Sequence, residues 1–418
     1  MSKVPVKLLI IGAGSRGATY AEFAKIHPDR VQVVGVAEPR AHYRDSLAQQ
    51  YDVPTEHIFT TWEDAAALPR FADAVIIATQ DAMHAAPAIA FANLGYDILL
   101  EKPMATSLHD CQRIVDAVEK NDVLFAVCHI LRYRNFTQQL KKIIAEGTLG
   151  EIVSIQHLEP VGYWHQAHSF VRGNWRNEQE SAFMLLTKSC HDVDWISYIM
   201  DSKCESVASF GTLKHFRQEE MPEGAGERCL DCSVEPSCVY SAKKIYLGRV
   251  QRGETGWPVD ILTPDTTEAG VTKALREGPY GRCVYRCDND VVDNQVVIMQ
   301  FAGGKTAAFT MTAFNDTMER KTRIFGTKGD LYADGSKVQI FDFMTDKITT
   351  FEIPDDSTEH LTGHGGGDYA LMDHFIMALA TRDRKFIFSG PQATLESHTI
   401  VFAAEQARKE KRVVTLDS

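Results

Sequence analysis

Residues 6–17 read VKLLIIGAGSRG, an apolar hexapeptide running straight into Gly12-Ala13-Gly14-Ser15-Arg16-Gly17. A run with no polar alternation is how a strand buried on both faces of a parallel sheet reads. The following Ala18 to Ile26 has a helical pattern, and Val31 to Ala37 is a second strand that ends at Glu38. The three glycines have separable roles in such a strand–turn–helix unit. Gly12 permits the tight turn, Gly14 lets the backbone approach a pyrophosphate, and Gly17 lets the helix pack close to the strand. Free N–H groups of the helix start, Ser15 and Arg16 among them, then face the phosphates. Glu38 lies 21 residues beyond Gly17, where a carboxylate can accept hydrogen bonds from ribose hydroxyls. The reading is an NAD site. Glu38 would repel a 2′-phosphate, so NADP is the less favoured cofactor, while Arg16 and Arg40 soften that preference.

Further βα units follow. Ala74 to Thr79 is a buried strand ending at Thr79-Gln80-Asp81, and Asp97 to Leu100 is another, ending at Glu101-Lys102-Pro103. A helix is expected over 107–121 and a strand over 123–127. Alternating strands and helices imply a doubly wound parallel sheet with right-handed crossovers. Ligands bind at the carboxyl ends of such strands, which is where Thr79, Gln80, Glu101 and Lys102 fall.

The GAGSRG segment, the run TQDAMHAAPAIAFANLGYDILLEKPMA with its His84, the crossover-like LRYRNFTQQLKKIIAEGTLGEIVSI and the late RIFGTKGDLYAD together resemble the Gfo/Idh/MocA family of nicotinamide-dependent oxidoreductases. The resemblance implies two domains. Residues 1–130 would form an NAD-binding Rossmann domain, and 131–418 an α+β substrate and oligomerisation domain on an open, largely antiparallel sheet. The C-terminal helices are expected to pack back on the first domain. Lys102 matches the family lysine beside the nicotinamide and the substrate hydroxyl, where a cation stabilises developing alkoxide. The family's second motif is an Asp followed four residues later by a His. Here Thr187 stands in the Asp position, followed by Lys188, His191 and Asp194. Residues 187 and 191 would share a helix face. His191 is then the best proton acceptor, with Thr187 and Lys188 as catalytic neighbours and Asp194 near the substrate.

The segment 162–177 is rich in aromatic, His and Arg residues. Tyr163, Trp164, His168, Arg172 and Trp175 suit a sugar, whose C–H faces stack and whose hydroxyls need donors. Residues 214–290 look like an insertion relative to simpler relatives. They hold five of the nine cysteines. Cys229 and Cys232 have C-x-x-C spacing, and with Cys238 and Cys283 (Cys287 as substitute) they could form a closed structural zinc site. Near the C-terminus, His364 and Asp368 flank three glycines before a helix, and Asp368 could cap it.

A net charge of −12 argues against nucleic acid and anionic lipid as partners. No apolar run reaches the ~20 residues of a membrane span, so a cytoplasmic location is expected. The function implied is an NAD-dependent oxidoreductase acting on a secondary hydroxyl of a carbohydrate. The alternatives are a glycosidase that recycles tightly bound NAD, and a noncatalytic NAD-binding regulator. An open sheet has a face to cover, which points to a homodimer or homotetramer.

Overall fold

The computed structural model describes residues 4–316, 319–354 and 365–416. His364 therefore lies outside the described residues. Six parallel strands form the first sheet: β1 (Val6–Ile11), β2 (Val31–Ala37), β3 (Ile58–Phe59), β4 (Ala74–Ile77), β5 (Asp97–Leu100) and β6 (Phe125–Val127). Their order is β3-β2-β1-β4-β5-β6, with the reversal at β1/β4 that opens a crevice at the carboxyl ends. Leu8, Ile10, Val75, Ile77 and Leu99 have no exposed surface, as runs buried on both faces require. Helices Ala85–Asn93 and Leu108–Lys120 cover one face.

The second sheet has nine strands: β7 (Ile152–Pro160), β8 (Cys204–Thr212), β9 (Asn294–Phe301), β10 (Lys305–Thr312), β11 (Lys321–Gly326), β12 (Gly329–Ala333), β13 (Lys337–Asp342), β14 (Lys347–Glu352) and β15 (Val414–Thr415). The order is β14-β13-β12-β11-β7-β10-β9-β8-β15. Among the described residues of this sheet, only β7 and β10 pair in parallel. Along β9, Val297, Met299 and Phe301 are buried while Val296 and Ile298 are exposed, the alternation of a sheet packed on one face. The buried face carries helix Cys190–Met200 and the long helix Pro391–Glu410. That last helix also reaches the first domain. His398 Nε2 accepts the Met104 backbone N–H at 3.0 Å, and Phe402 packs against both cores.

Residues 214–290 build a satellite core around Phe216, Tyr246, Leu275 and Tyr280, shared with Ala167, Val171 and Ala313. Among the described residues, no group of three or more His, Cys, Asp or Glu side chains could hold a metal ion. The expectation of a structural zinc at Cys229, Cys232, Cys238 and Cys283, with Cys287 in reserve, finds no support there. The Arg172 guanidinium, 3.5 Å from Cys229 Sγ, already stands among them. Cys229, Cys232, Cys238 and Cys283 line one small cavity together with it.

Candidate active site

The glycine-rich turn is built as a dinucleotide cradle requires. Gly12 sits at φ +89°, and a Cβ there would lie 2.5 Å from the Ala78 carbonyl oxygen. A Cβ on Gly17 would meet the Gly12 carbonyl oxygen at 1.9 Å, so only glycine lets the Ser15–Ala21 helix start so close to the strand. Glu38 is buried at the end of β2, where its Oε2 accepts the Ala13 N–H at 3.0 Å. Arg40 approaches the same carboxylate through Nε at 2.7 Å and a second nitrogen at 3.0 Å. Burial works to raise the Glu38 pKa, but the Arg40 hydrogen bonds outweigh it and the carboxyl is held below its usual range. Thr79 Oγ1, at the carboxyl end of β4, is buried with no partner among the described residues. An orphaned hydroxyl, an anionic residue for ribose and a turn closed to any Cβ fit an NAD molecule across the β1/β4 crevice.

Arg16 does not face the adenosine end. Its guanidinium binds Glu101 at 2.6 Å and Asp368 at 2.6 Å, next to the Tyr20 hydroxyl. Asp368 is thus a partner of Arg16 rather than a cap, and Gly366 occupies the cap position of helix Gly367–Thr381. Glu101 also accepts the Lys102 backbone N–H at 2.9 Å. His84 is fully buried and bridges the Pro103 carbonyl at 2.7 Å to the Thr79 carbonyl at 3.3 Å. It ties two strand ends together.

Lys102 crosses to the second domain. Its Nζ donates to the Thr187 carbonyl oxygen at 2.5 Å. Thr187 ends the short helix Met184–Thr187, and His191 belongs to the next helix, Cys190–Met200. The shared helix face expected for 187 and 191 is therefore interrupted at Lys188-Ser189. Thr187 Oγ1 leans back on the Phe183 and Met184 carbonyls, each at 3.5 Å. Lys188, at the break, pairs with Glu159 at the end of β7 at 3.0 Å. Glu159 also pairs with Arg320 at 3.0 Å, and Arg320 reaches Asp192 at 2.5 Å. Asp192 accepts from His157 at 3.1 Å. Glu159, Asp192, His157 and Arg320 were not legible as site residues, because they come together from β7, a helix and the residue just before β11.

The structure moves several expected residues out of the cleft. Asp194 is wholly buried behind His191, gripped by Arg132 through two bonds of 2.7 Å. His168 bonds the Tyr246 hydroxyl at 2.9 Å and stacks on Tyr280 inside the satellite core. Arg172, 1% exposed, donates to the Arg282 and Tyr240 carbonyls. These three hold the scaffold and are withdrawn as sugar ligands. Trp175 bridges the domains instead: its Nε1 donates to Asp81 at 3.0 Å, and Ser181 donates to the same oxygen at 3.3 Å. Tyr163 is exposed and Trp164 half-buried under Arg249.

Behind His191 lies a buried histidine cluster. Its ring is 5.7 Å from His129, which is 5.6 Å from His398. Burial pushes His129 down to about 4 and His398 to about 3. Both stay neutral in the fold and take up protons when unfolded. Their contribution is full above an unfolded pKa of about 6.5 and drains away as pH falls toward 4. The melting temperature should drop across that window, above the range where the paired Asp192 and Asp194 lose charge. Scanning calorimetry from pH 7 to 4 checks it, and a flat profile would contradict it.

Residues 6–129 match the Gfo/Idh/MocA family described as an oxidoreductase family with an NAD-binding Rossmann fold, and 141–416 match its C-terminal alpha/beta domain. The chain belongs to this family of NAD-binding oxidoreductases. It is similar to YteT of Bacillus subtilis (strain 168), 24% identical over 341 residues, or 77% of this chain and 76% of that protein. It is also similar to 2,7-anhydro-N-acetylneuraminate hydratase of Escherichia coli (strain K12), 28% identical over 202 residues, 48% of this chain and 51% of that one. A levoglucosan dehydrogenase structure with NADH and L-sorbose superposes with a TM-score of 0.72 at 17% identity, covering 99% of both chains. That likeness is one of fold.

Proposed function

We propose that the chain is an NAD-dependent oxidoreductase acting on a secondary hydroxyl of a sugar, sugar derivative or glycoside. The observation that carries this is the Lys102 to Thr187 bond, which sets the lysine of the cofactor domain beside the segment bearing His191. When bound, NAD would supply the redox chemistry by exchanging a hydride with the substrate carbon. The chain's own residues then divide the remaining work. Lys102 holds the reacting oxygen and stabilises negative charge on it. His191 accepts the hydroxyl proton at a ring nitrogen, or returns it in the reverse direction. Lys188 is kept at the cleft by Glu159 and meets a neighbouring hydroxyl. Trp175 and Asp81 hold the second domain against the cofactor domain.

The test is a panel of sugars, polyols and glycosides with NAD, followed by NADH absorbance. NADH accumulating in step with substrate supports the reading. A second reading is favoured by one finding, the similarity to a hydratase of an anhydro sugar. In it, redox is transient and the net outcome is elimination or hydration. Product formed with no net NADH would move the assignment there.

Cofactor preference follows from Glu38. With its carboxylate charged and buried at the ribose end, NAD should bind at least about tenfold more tightly than NADP. Equal affinities by calorimetry would mean that Arg40 has turned to the 2′-phosphate.

We further propose a homo-oligomer, dimer or tetramer, assembled through the open face of the nine-stranded sheet. Phe210, Val296 and Ile298 are exposed there on adjacent strands. Light scattering should report more than one chain, and Ile298→Asp should shift it toward monomer. No described helix is long and apolar enough to cross a membrane. A cytoplasmic location and a small-molecule substrate, rather than nucleic acid, complete the proposal.

A further inference from the structure

The insertion places against His165 an indole that neither the cofactor cradle nor His191 uses. Trp257 is 45% exposed. Its ring meets His165 edge-on at 5.1 Å and His168 edge-on at 5.6 Å, and leans on Trp164 at 5.2 Å. Such packing fixes the ring from its sides and leaves surface to solvent. Tyr163, 38% exposed, precedes Trp164 and His165 on the same short helix.

A second observation is independent of exposure. His165 Nδ1 and both side-chain polar atoms of Gln166 are buried without partners among the described residues. Gln166 is only 1% exposed. Unpaired buried amides are costly and call for a water or a ligand group. Residues 166–172 form a π-helix, a costly local geometry often kept where a site needs it. The cluster also follows directly on β7, whose Glu159 holds Lys188 at 3.0 Å. Burial lowers the His165 pKa first, and the charges of Lys188 and Lys102 lower it further.

We infer that Trp257, Tyr163, His165 and Gln166 form a subsite for a second ring, so that the substrate is a glycoside of at least two rings rather than a free monosaccharide. The inference rests on the carbohydrate reading above. A pyranose offers a C–H face that stacks on an indole, and hydroxyls that donate to and accept from an imidazole and an amide. Trp257 takes the face, and His165 and Gln166 take the hydroxyls. The reacting ring lies between Lys102 and His191, and the second ring lies on the insertion side.

The test is calorimetric titration of NAD-loaded protein with a panel of disaccharides and the matching monosaccharides. At least one disaccharide should bind more tightly than either of its component sugars. Trp257→Ala should weaken that disaccharide about tenfold, the loss of one stacked aromatic contact, and Trp257→Phe should recover part of it. The ratio of disaccharide to monosaccharide affinity is the decisive readout, since general unfolding would lower both. An unchanged ratio in Trp257→Ala overturns the subsite, and so does a panel with no disaccharide preference. A disaccharide bound through Trp257 with no redox or elimination product would sink the catalytic reading and leave the subsite standing.

Discussion

Replacing His191 by Ala should slow turnover by roughly 10²–10⁴, the usual contribution of a positioned acid or base. NAD affinity should change by less than about twofold, because His191 stands on helix Cys190–Met200, outside the cofactor cradle. Lys102→Ala should also slow turnover and weaken the cofactor as well, since this lysine follows β5 at the crevice. It should further loosen the domain contact, because its ammonium holds the Thr187 carbonyl at 2.5 Å. The two losses should not sum in the double variant, because both groups act on one hydroxyl. Steady-state kinetics with separate kcat and KM, beside NAD titration, checks all three variants. Near-full rate in His191→Ala would transfer the proton step to Lys188 or His165.

The second large effect is on stability. Arg132→Met should destabilise the fold by about 3–5 kcal/mol, the cost of leaving one partner of a buried ion pair uncompensated. Arg132 and Asp194 are both nearly or wholly buried, and the guanidinium also donates to the Phe388 carbonyl at 2.7 Å. Burial acts to raise the Asp194 pKa, and the Arg132 charge reverses it. Without that charge, folding would have to protonate or hydrate Asp194. Denaturant titration measures the loss. Arg132→Met combined with Asp194→Leu should recover much of it, because removing both charges removes the desolvation penalty. If the double variant is no better than the single one, the hydrogen bond to Phe388 is the larger contribution.

Much of the first domain was legible because local pattern and global burial agree there. An unbroken apolar run, a turn that excludes any Cβ, and an acid at the end of the next strand are each local in sequence, and together they specify a cofactor crevice. The expectation of an open sheet came from the family resemblance, and the turn Ala302–Gly304 joins β9 to β10 in that sheet. The aromatic segment misled for His168 and Arg172, because composition tells that aromatic and basic groups are present but not which way they face. The cysteines meet a related limit. C-x-x-C spacing is compatible with ligation and equally with packed thiols, and the difference lies in how they converge.

Whereas His191 was singled out through the family resemblance, the amino-acid sequence by itself determined the parallel-sheet cofactor domain and the strand ends at which Glu38 and Lys102 fall. Those features depend on neighbours a few residues apart or on a repeating period. Only the tertiary structure decided that Arg16 turns to Glu101 and Asp368, that Asp194 belongs to Arg132, and that Asp81 accepts from Trp175 across the domain boundary. It also decided that Trp257 of the insertion comes to lie against His165. Each of these pairs spans from about 60 to more than 350 residues of chain. A charged or aromatic side chain takes whichever partner the packed fold brings within reach, and no local pattern encodes that choice.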